Sequence, residues 1–158
     1  MAESDVWSQI ESLYRAHFRQ FERVARAITG DRESALEAVQ EGFADALRNA
    51  SQWADRGPLE GWVWRCVVNR ARKVRRRPAF EVTGGEPSSN GGPPSDSELG
   101  ARLAALPERQ RLVVFLRYFA DLEYREIAAA LEIETGTVSA TLHAAHATLR
   151  AGYEEALA

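Results

Sequence analysis

The sequence predicts an all-α chain of two small helical domains joined by a flexible linker: a bundle over residues 1–78, the linker at 79–97 and a helix-turn-helix over 98–158. Three observations predict it. Apolar residues recur every three or four positions along most of the first 77 residues, the spacing of one helical face. Residues 79–97, AFEVTGGEPSSNGGPPSDS, are rich in Gly, Pro and Ser and nearly empty of apolar side chains, so they cannot bury a core. Residues 106–150 then read as three successive helices, the last two separated by only a few residues.

The first helix is expected over 6–29. Trp7, Ile10, Tyr14, Phe18, Phe21, Ala25 and Ile28 form its apolar stripe, and Arg15, Arg19, Arg23 and Arg26 occupy the other side. Gly30 ends it, and Asp31 can cap the next helix by accepting a backbone N–H. The second helix is expected over 32–50, with Leu36, Val39, Phe43, Ala46 and Leu47 inward. Beside that stripe Glu33, Glu37, Glu41 and Asp45 recur every four residues as an acidic ridge, with Gln40 nearby. The ridge reads either as a solvated face or as a docking face for a basic partner.

Residues 51–58 form a short polar connector around Trp53, broken by Gly57-Pro58. A third helix follows over 59–77, closed by Pro78. Leu59, Trp62, Val63, Cys66 and Val67 are its apolar part. Arg70, Arg72, Lys73, Arg75, Arg76 and Arg77 then place six cations in eight positions. That density exceeds ordinary solvation and suits phosphate; a flexible basic tail is the other reading.

Past the linker, Leu99, Leu103 and Leu106 mark a short helix, and Pro107 suits the first position of the next, where its missing N–H costs nothing. Val113, Leu116, Phe119 and Ala120 face inward there. After a turn at 121–123, residues 124–131 use Ile127, Ala128 and Leu131. A tight turn at 132–134 leads to a last helix from Thr135 to about Arg150, with Val138, Leu142, Ala145 and Leu149 inward.

Charge is unevenly spread. The net charge is −3, yet residues 1–78 hold 14 basic and 11 acidic residues, a surplus of +3. Residues 98–158 hold 6 basic and 9 acidic ones, a deficit of −3. Nucleic-acid contact is therefore expected from the first half. No apolar run approaches the length of a membrane span, and the start, MAESDVWSQIESLYR, lacks the pattern of a signal peptide. A single cysteine, Cys66, cannot form an internal disulfide and reads as a small buried hydrophobe in a reducing compartment. His143 and His146 lie three apart, but no carboxylate or thiol accompanies them in sequence, so no metal site is expected. No phosphate loop, nucleophile elbow or catalytic carboxylate pair appears; the chain is expected to be no enzyme and to use no cofactor.

Several blocks resemble the extracytoplasmic-function (ECF) family of bacterial RNA polymerase sigma factors. They are LYRAHF and ARAITGD, then EAVQEGF, then GWVWRCVVNRARKVRRR, and finally LPERQRLVVFLRYFADLEYREIAAAL with GTV and LHAAHATLR. They occur in the family's order and span nearly the whole chain outside the linker. The resemblance implies a sigma region 2-like bundle and a sigma region 4-like helix-turn-helix. It implies that Glu37, Gln40 and Glu41 dock on core RNA polymerase, where charge complementarity supplies orientation. It places Trp53 where the family holds a flipped base of the −10 promoter element, which needs a stacking surface; Trp53 as mere core cover stays open. It assigns Asn69, Arg70, Arg72, Lys73, Arg75, Arg76 and Arg77 to the duplex and the displaced strand, with arginine's forked donors suited to phosphate. Trp62 and Trp64 are expected to pack the domain.

The last helix departs from the family. Ser139, Thr141, Ala144, His146 and Thr148 stand where the family places cations, and Arg150 alone is basic. Glu123 and Glu134 replace a capping Ser, Glu132 replaces a turn Gly, and Thr135 is left as a cap. Each lost phosphate contact removes about one unit of salt-dependent slope, and each lost bidentate base contact costs roughly 1–3 kcal/mol. Direct −35 contact is thus reduced to Thr137, Ser139, Thr141, His143 and Arg150. The resemblance implies a cytoplasmic factor with three partners: core RNA polymerase, promoter DNA and an anti-sigma factor or other regulatory protein. Its −35 recognition would be weakened or partner-assisted. The alternative is a sigma-like interaction protein whose helix-turn-helix binds a regulator and which does not initiate transcription alone.

Overall fold

The computed structural model describes residues 2–53, 57–75 and 98–157. Among them the chain forms eight α-helices and no strand: α1 Ala2–Thr29, α2 Arg32–Arg48, α3 Ala50–Trp53, α4 Leu59–Arg75, α5 Glu98–Ala105, α6 Glu108–Tyr118, α7 Tyr124–Leu131 and α8 Thr135–Leu157. The linker 79–97 and residues Arg76 and Arg77 lie outside the described residues.

Helix α1 bends at His17, whose φ of −124° and ψ of 19° leave the helical range. It ends at Gly30 (φ 94°), whose N–H still reaches the Arg26 carbonyl at 2.8 Å. Asp31 caps α2 as its sequence position suggests, accepting the Ser34 N–H at 2.8 Å. The inward face of α2 is made of small residues, Ala35, Ala38, Gly42 and Ala46, with Val39 and Phe43. Gly42 sets how closely α2 and α4 approach: a Cβ there would lie 2.6 Å from the Val67 Cα.

The N-terminal core is aromatic. Phe21 stacks on Trp64 with centroids 3.9 Å apart and meets Phe43 edge-on at 4.8 Å. Tyr14 also meets Phe43 nearly perpendicularly, with centroids 5.0 Å apart. Two inward assignments fail. Trp7 is 51% exposed and Leu47 37% exposed, so neither side chain enters the core between α1 and α2. Trp64 is the buried tryptophan of α4, while Trp62 is only half-buried. The connector also begins as helix, since Ala50–Trp53 complete the short α3.

In the C-terminal half, Leu112, Val113, Val114, Phe115 and Leu116 are all buried, so α6 is enclosed on most sides. Pro107 sits outside α6 as its N-cap residue, with ψ at 147°. Its ring fixes φ, and the extended ψ lets the chain turn in before the first helical residue. Leu122, Ile127, Ala130, Val138, Leu142 and Ala145 complete the core of α7 and α8. Thr135 is the first residue of α8, leaving Glu134 before it, and α8 runs on to Leu157. Helix α4 is central: α1 and α2 pack on one face, and α7 lies on another. The buried residues of both halves make one apolar cluster.

Candidate nucleic-acid interface

A groove of about 700 Å³ opens beside α4, walled by Asn49, Gln52 and Trp53 on one side and by Trp62, Arg65, Asn69 and Lys73 on the other. Trp53 is half-buried at the end of α3, and its indole Nε1 donates to the Gly57 carbonyl at 3.2 Å. That bond fixes the ring where α3 gives way to the connector. The Asn49 side-chain amide donates to the Asp45 carbonyl at 2.9 Å. The groove thus sets two indole rings beside amides and cations, the groups that stack on bases and bind phosphate. Asn49, Gln52 and Arg65 carry no motif in sequence; only the folding of α3 against α4 brings them to Trp53.

The cationic run is less free than its composition suggests. Arg70 grips Asp45, with Nη2 donating to Oδ1 at 2.9 Å, and its Nη1 lies 4.0 Å from Glu41. The Arg70 hydrogen bond, ahead of all other causes, holds the Asp45 carboxyl below its ordinary range, and Arg48 adds to it. Arg72 pairs with Glu108 of α6 at 2.7 Å. Asn69, Lys73 and Arg75 are exposed. Arg76 and Arg77 lie outside the described residues.

The acidic ridge lies on α2 nearby. Gln40 and Glu41 are exposed and Glu37 is half-buried. Asp45 belongs to the ridge by spacing but turns to Arg70 instead. Next to Gln40 is a mostly apolar cleft of about 620 Å³ between α1 and α2, lined by Trp7, Tyr14, Phe43 and Leu47. Trp7 and Leu47, which the helical spacing assigns to the core, line this cleft instead.

On α8, Ser139, His143 and Arg150 are exposed, and Thr137 and Thr141 are half-buried. His146 is held by Tyr118 of α6, its Nε2 2.8 Å from the Tyr118 hydroxyl and the rings stacked 5.8 Å apart. The Thr148 hydroxyl is taken up by the Ala144 carbonyl at 3.0 Å. The outer face of α8 therefore offers short polar donors and one arginine. Glu123 precedes α7, its N–H donating back to Glu126 Oε1 at 3.2 Å, so the lost serine is replaced by a reciprocal carboxylate contact. Glu132 adopts the left-handed conformation, φ 57° and ψ 44°. Cys66 is half-buried, and burial first, then Asp45, pushes its thiol up to about 11, so it is no nucleophile at neutral pH. Among the described residues no three His, Cys, Asp or Glu are placed to hold a metal, and no helix is long and apolar enough to cross a membrane.

Comparison with known proteins covers both halves. Residues 13–79 match the family described as Sigma-70 region 2, and residues 96–149 match Sigma-70, region 4. The chain is 30% identical over 138 residues to the RNA polymerase sigma-E factor of Streptomyces avermitilis, covering 81% of this chain and 75% of that one. It is 28% identical over 140 residues to the RNA polymerase sigma factor SigV of Bacillus subtilis, covering 85% and 84%. Against the ECF RNA polymerase sigma factor SigE of Mycolicibacterium smegmatis it is 30% identical over 154 residues, and there it spans 89% of itself but only 60% of that relative. In fold it is similar to CnrH, solved in complex with the cytosolic domain of CnrY, with a TM-score of 0.72 over 97% of this chain and 95% of that one at 20% identity.

Proposed function

The chain belongs to the ECF family of RNA polymerase sigma factors, and from that premise we propose that it binds core RNA polymerase and directs promoter recognition and opening at the −10 element. The observation that carries this reading is the groove beside α4, where Trp53, Trp62 and Asn69 meet Lys73. A base leaving the duplex needs an aromatic face and amide partners, and the displaced strand needs cations. Residues 1–78 form the unit that docks and opens, 79–97 the linker, and 98–158 the unit for the −35 element.

Docking is assigned to Glu37, Gln40 and Glu41 together with the cleft behind them. A polar rim around an apolar centre is the usual anatomy of a protein interface, and Trp7 and Leu47 supply that centre. A regulatory protein of the anti-sigma kind would compete for the same surfaces, and the site of action is the cytoplasm.

The −35 contact is read as weak, resting on Thr137, Ser139, Thr141, His143 and Arg150. A second reading draws on the same bare helix: the chain binds polymerase but selects a promoter only with a regulator seated on its helix-turn-helix. Reconstituted transcription separates them. Purified chain with core polymerase should yield a defined start site from a promoter library. If core binding occurs and no promoter is selected until another factor is added, the second reading stands. Ser139→Lys with His143→Arg, both at exposed positions, should steepen the salt dependence of promoter binding by about one unit per new phosphate contact if α8 enters the groove.

A further inference from the structure

Glu60 is the second residue of α4. Glu126 of α7 faces it, and the two carboxyl groups are hydrogen-bonded to each other. Backbone contact holds them together. At the next residue, Gly61, a Cβ would lie 2.7 Å from the Glu126 carbonyl oxygen, so only glycine lets α4 touch α7 there. A carboxylate is an acceptor only, so a bond between two carboxyl groups needs a proton on one of them. Glu126 Oε1 already accepts the Glu123 backbone N–H at 3.2 Å. That bond suits a charged acceptor, which leaves the hydrogen of the pair to Glu60.

Glu60 also lines a hollow of about 480 Å³ between α1 and the start of α4. Ser12, Leu13 and Ala16 of α1 wall it together with Leu59, and His17 lines it too. Among the described residues of that lining, His17 is the only ionisable side chain besides Glu60. It is half-buried, and it is the residue at which α1 bends. The groups that face Glu60 are therefore Glu126 from α7, the Trp64 indole of its own helix and, across the hollow, His17 from α1. The arm of α1 ahead of the bend, residues 2–16, joins this hollow to the apolar cleft on α2. Ser8 lines both openings, and Trp7 and Tyr14 of the same arm line the cleft.

We propose that Glu60 is a proton-dependent partner switch: protonated, it bonds Glu126 of α7; ionised, it turns into the hollow and accepts a hydrogen bond from His17, fixing the bend of α1 and the arm that walls the cleft. Loss of the proton to solvent leaves two facing carboxylates on half-buried ground, where they repel. The hollow offers the freed carboxylate a ring N–H donor and room to turn. Burial first, and Glu126 second, push the Glu60 carboxyl up to about 7, so the exchange of partners falls near neutral pH. Its consequence for polymerase binding rests on the reading of the cleft as a docking surface, whereas the switch itself does not.

The test follows the full chain by NMR from about pH 5 to pH 9, with glutamate labelled at the side-chain carboxyl carbon and tryptophan at the indole nitrogen. Glu60→Gln identifies the Glu60 signal by its loss. In wild type that signal should titrate near pH 7, and the Trp7 indole should move with the same midpoint. Glu126→Gln should lower the midpoint, since it removes the facing charge. His17→Phe removes the donor and should raise it by about half a pH unit. His17→Gln keeps a donor and should leave it in place. A Glu60 signal that titrates like an ordinary glutamate, or a midpoint unmoved by His17→Phe, overturns the switch. A Trp7 signal that moves as much in Glu60→Gln as in wild type overturns its transmission to the cleft. In competition for core polymerase, wild type should change its affinity about threefold or more between pH 6 and pH 8, and Glu60→Gln by less. Equal binding at both values overturns the link to docking. A chain that switches by NMR yet binds no polymerase at either pH leaves the switch standing and sinks the docking reading.

Discussion

Arg70 on α4 holds Asp45 on α2 with two parallel donors, Nε to Oδ2 at 2.5 Å and Nη2 to Oδ1 at 2.9 Å. The pair staples the acidic ridge to the cationic helix, and it takes one member from each. Both side chains remain partly solvated, at 32% and 21% exposure, so water screens the bond. Asp45→Ala should therefore cost only about 1 kcal/mol of stability, the upper end for a solvated pair with good geometry. Because the folded Asp45 carboxyl lies below its ordinary 3.8, its contribution is present above that value and lost as pH falls through the lowered one. Urea denaturation at pH 3 and pH 6 should show the wild type and Asp45→Ala converging at the lower pH.

Glu60 gives the opposite sign. Burial first, then the facing Glu126 carboxyl of α7, raises its pKa from 4.5 to about 7, while Trp64 pulls it the other way. His17 of α1 lines the same hollow. A raised carboxyl binds its proton more tightly in the folded form, so its ionisation opposes folding. The cost is absent below about pH 4.5, grows as pH rises to about 7, and stays at its full value above. Glu60→Gln should flatten the pH dependence of the denaturation midpoint between 4.5 and 7. An unchanged slope in that window would mean that Glu60 is not held protonated by burial beside Glu126.

Gly42 tests packing. Its missing Cβ faces the Val67 backbone at 2.6 Å, which cannot swing aside as a side-chain tip could. Alanine gains roughly 0.5–1 kcal/mol in helix propensity, but forcing α2 from α4 costs about 1–3 kcal/mol. Gly42→Ala should be net destabilising by urea denaturation, and a stabilised variant would mean that the two helices separate easily.

Trp7 and Glu41 test docking. Trp7 is 51% exposed, so Trp7→Ser should change stability by no more than about 0.5 kcal/mol. A tryptophan at the centre of an interface typically contributes about 2 kcal/mol or more to binding. Trp7→Ser should thus weaken capture of core polymerase some thirtyfold, and Glu41→Ala by less, as a rim charge does. Competition binding against an unaltered sigma factor reads both, and a Trp7→Ser chain that competes like wild type would remove the cleft from the docking surface.

The sequence by itself determined what depends on neighbours a few residues away. Helical spacing located the helices of both halves, Asp31 declared its cap, and the short turn before Thr135 declared the helix-turn-helix. The same locality made the cations and carboxylates visible as a run and a ridge. Tertiary structure decided which of those groups stay available. Trp62 and Trp64 stand two residues apart in one apolar stretch, and only the stacking of Phe21 on Trp64 settles which enters the core and which faces the groove. Trp7 fits the apolar stripe of α1 yet stays half exposed, lining the cleft between α1 and α2 rather than the core. Asp45 and Arg70 are 25 residues apart and cancel within the groove wall. Glu132 reads in sequence only as a misplaced turn residue, and gains a partner when α7 lies on α4. A charge's spacing along the chain is a local property; what neutralises it is set by which helices meet.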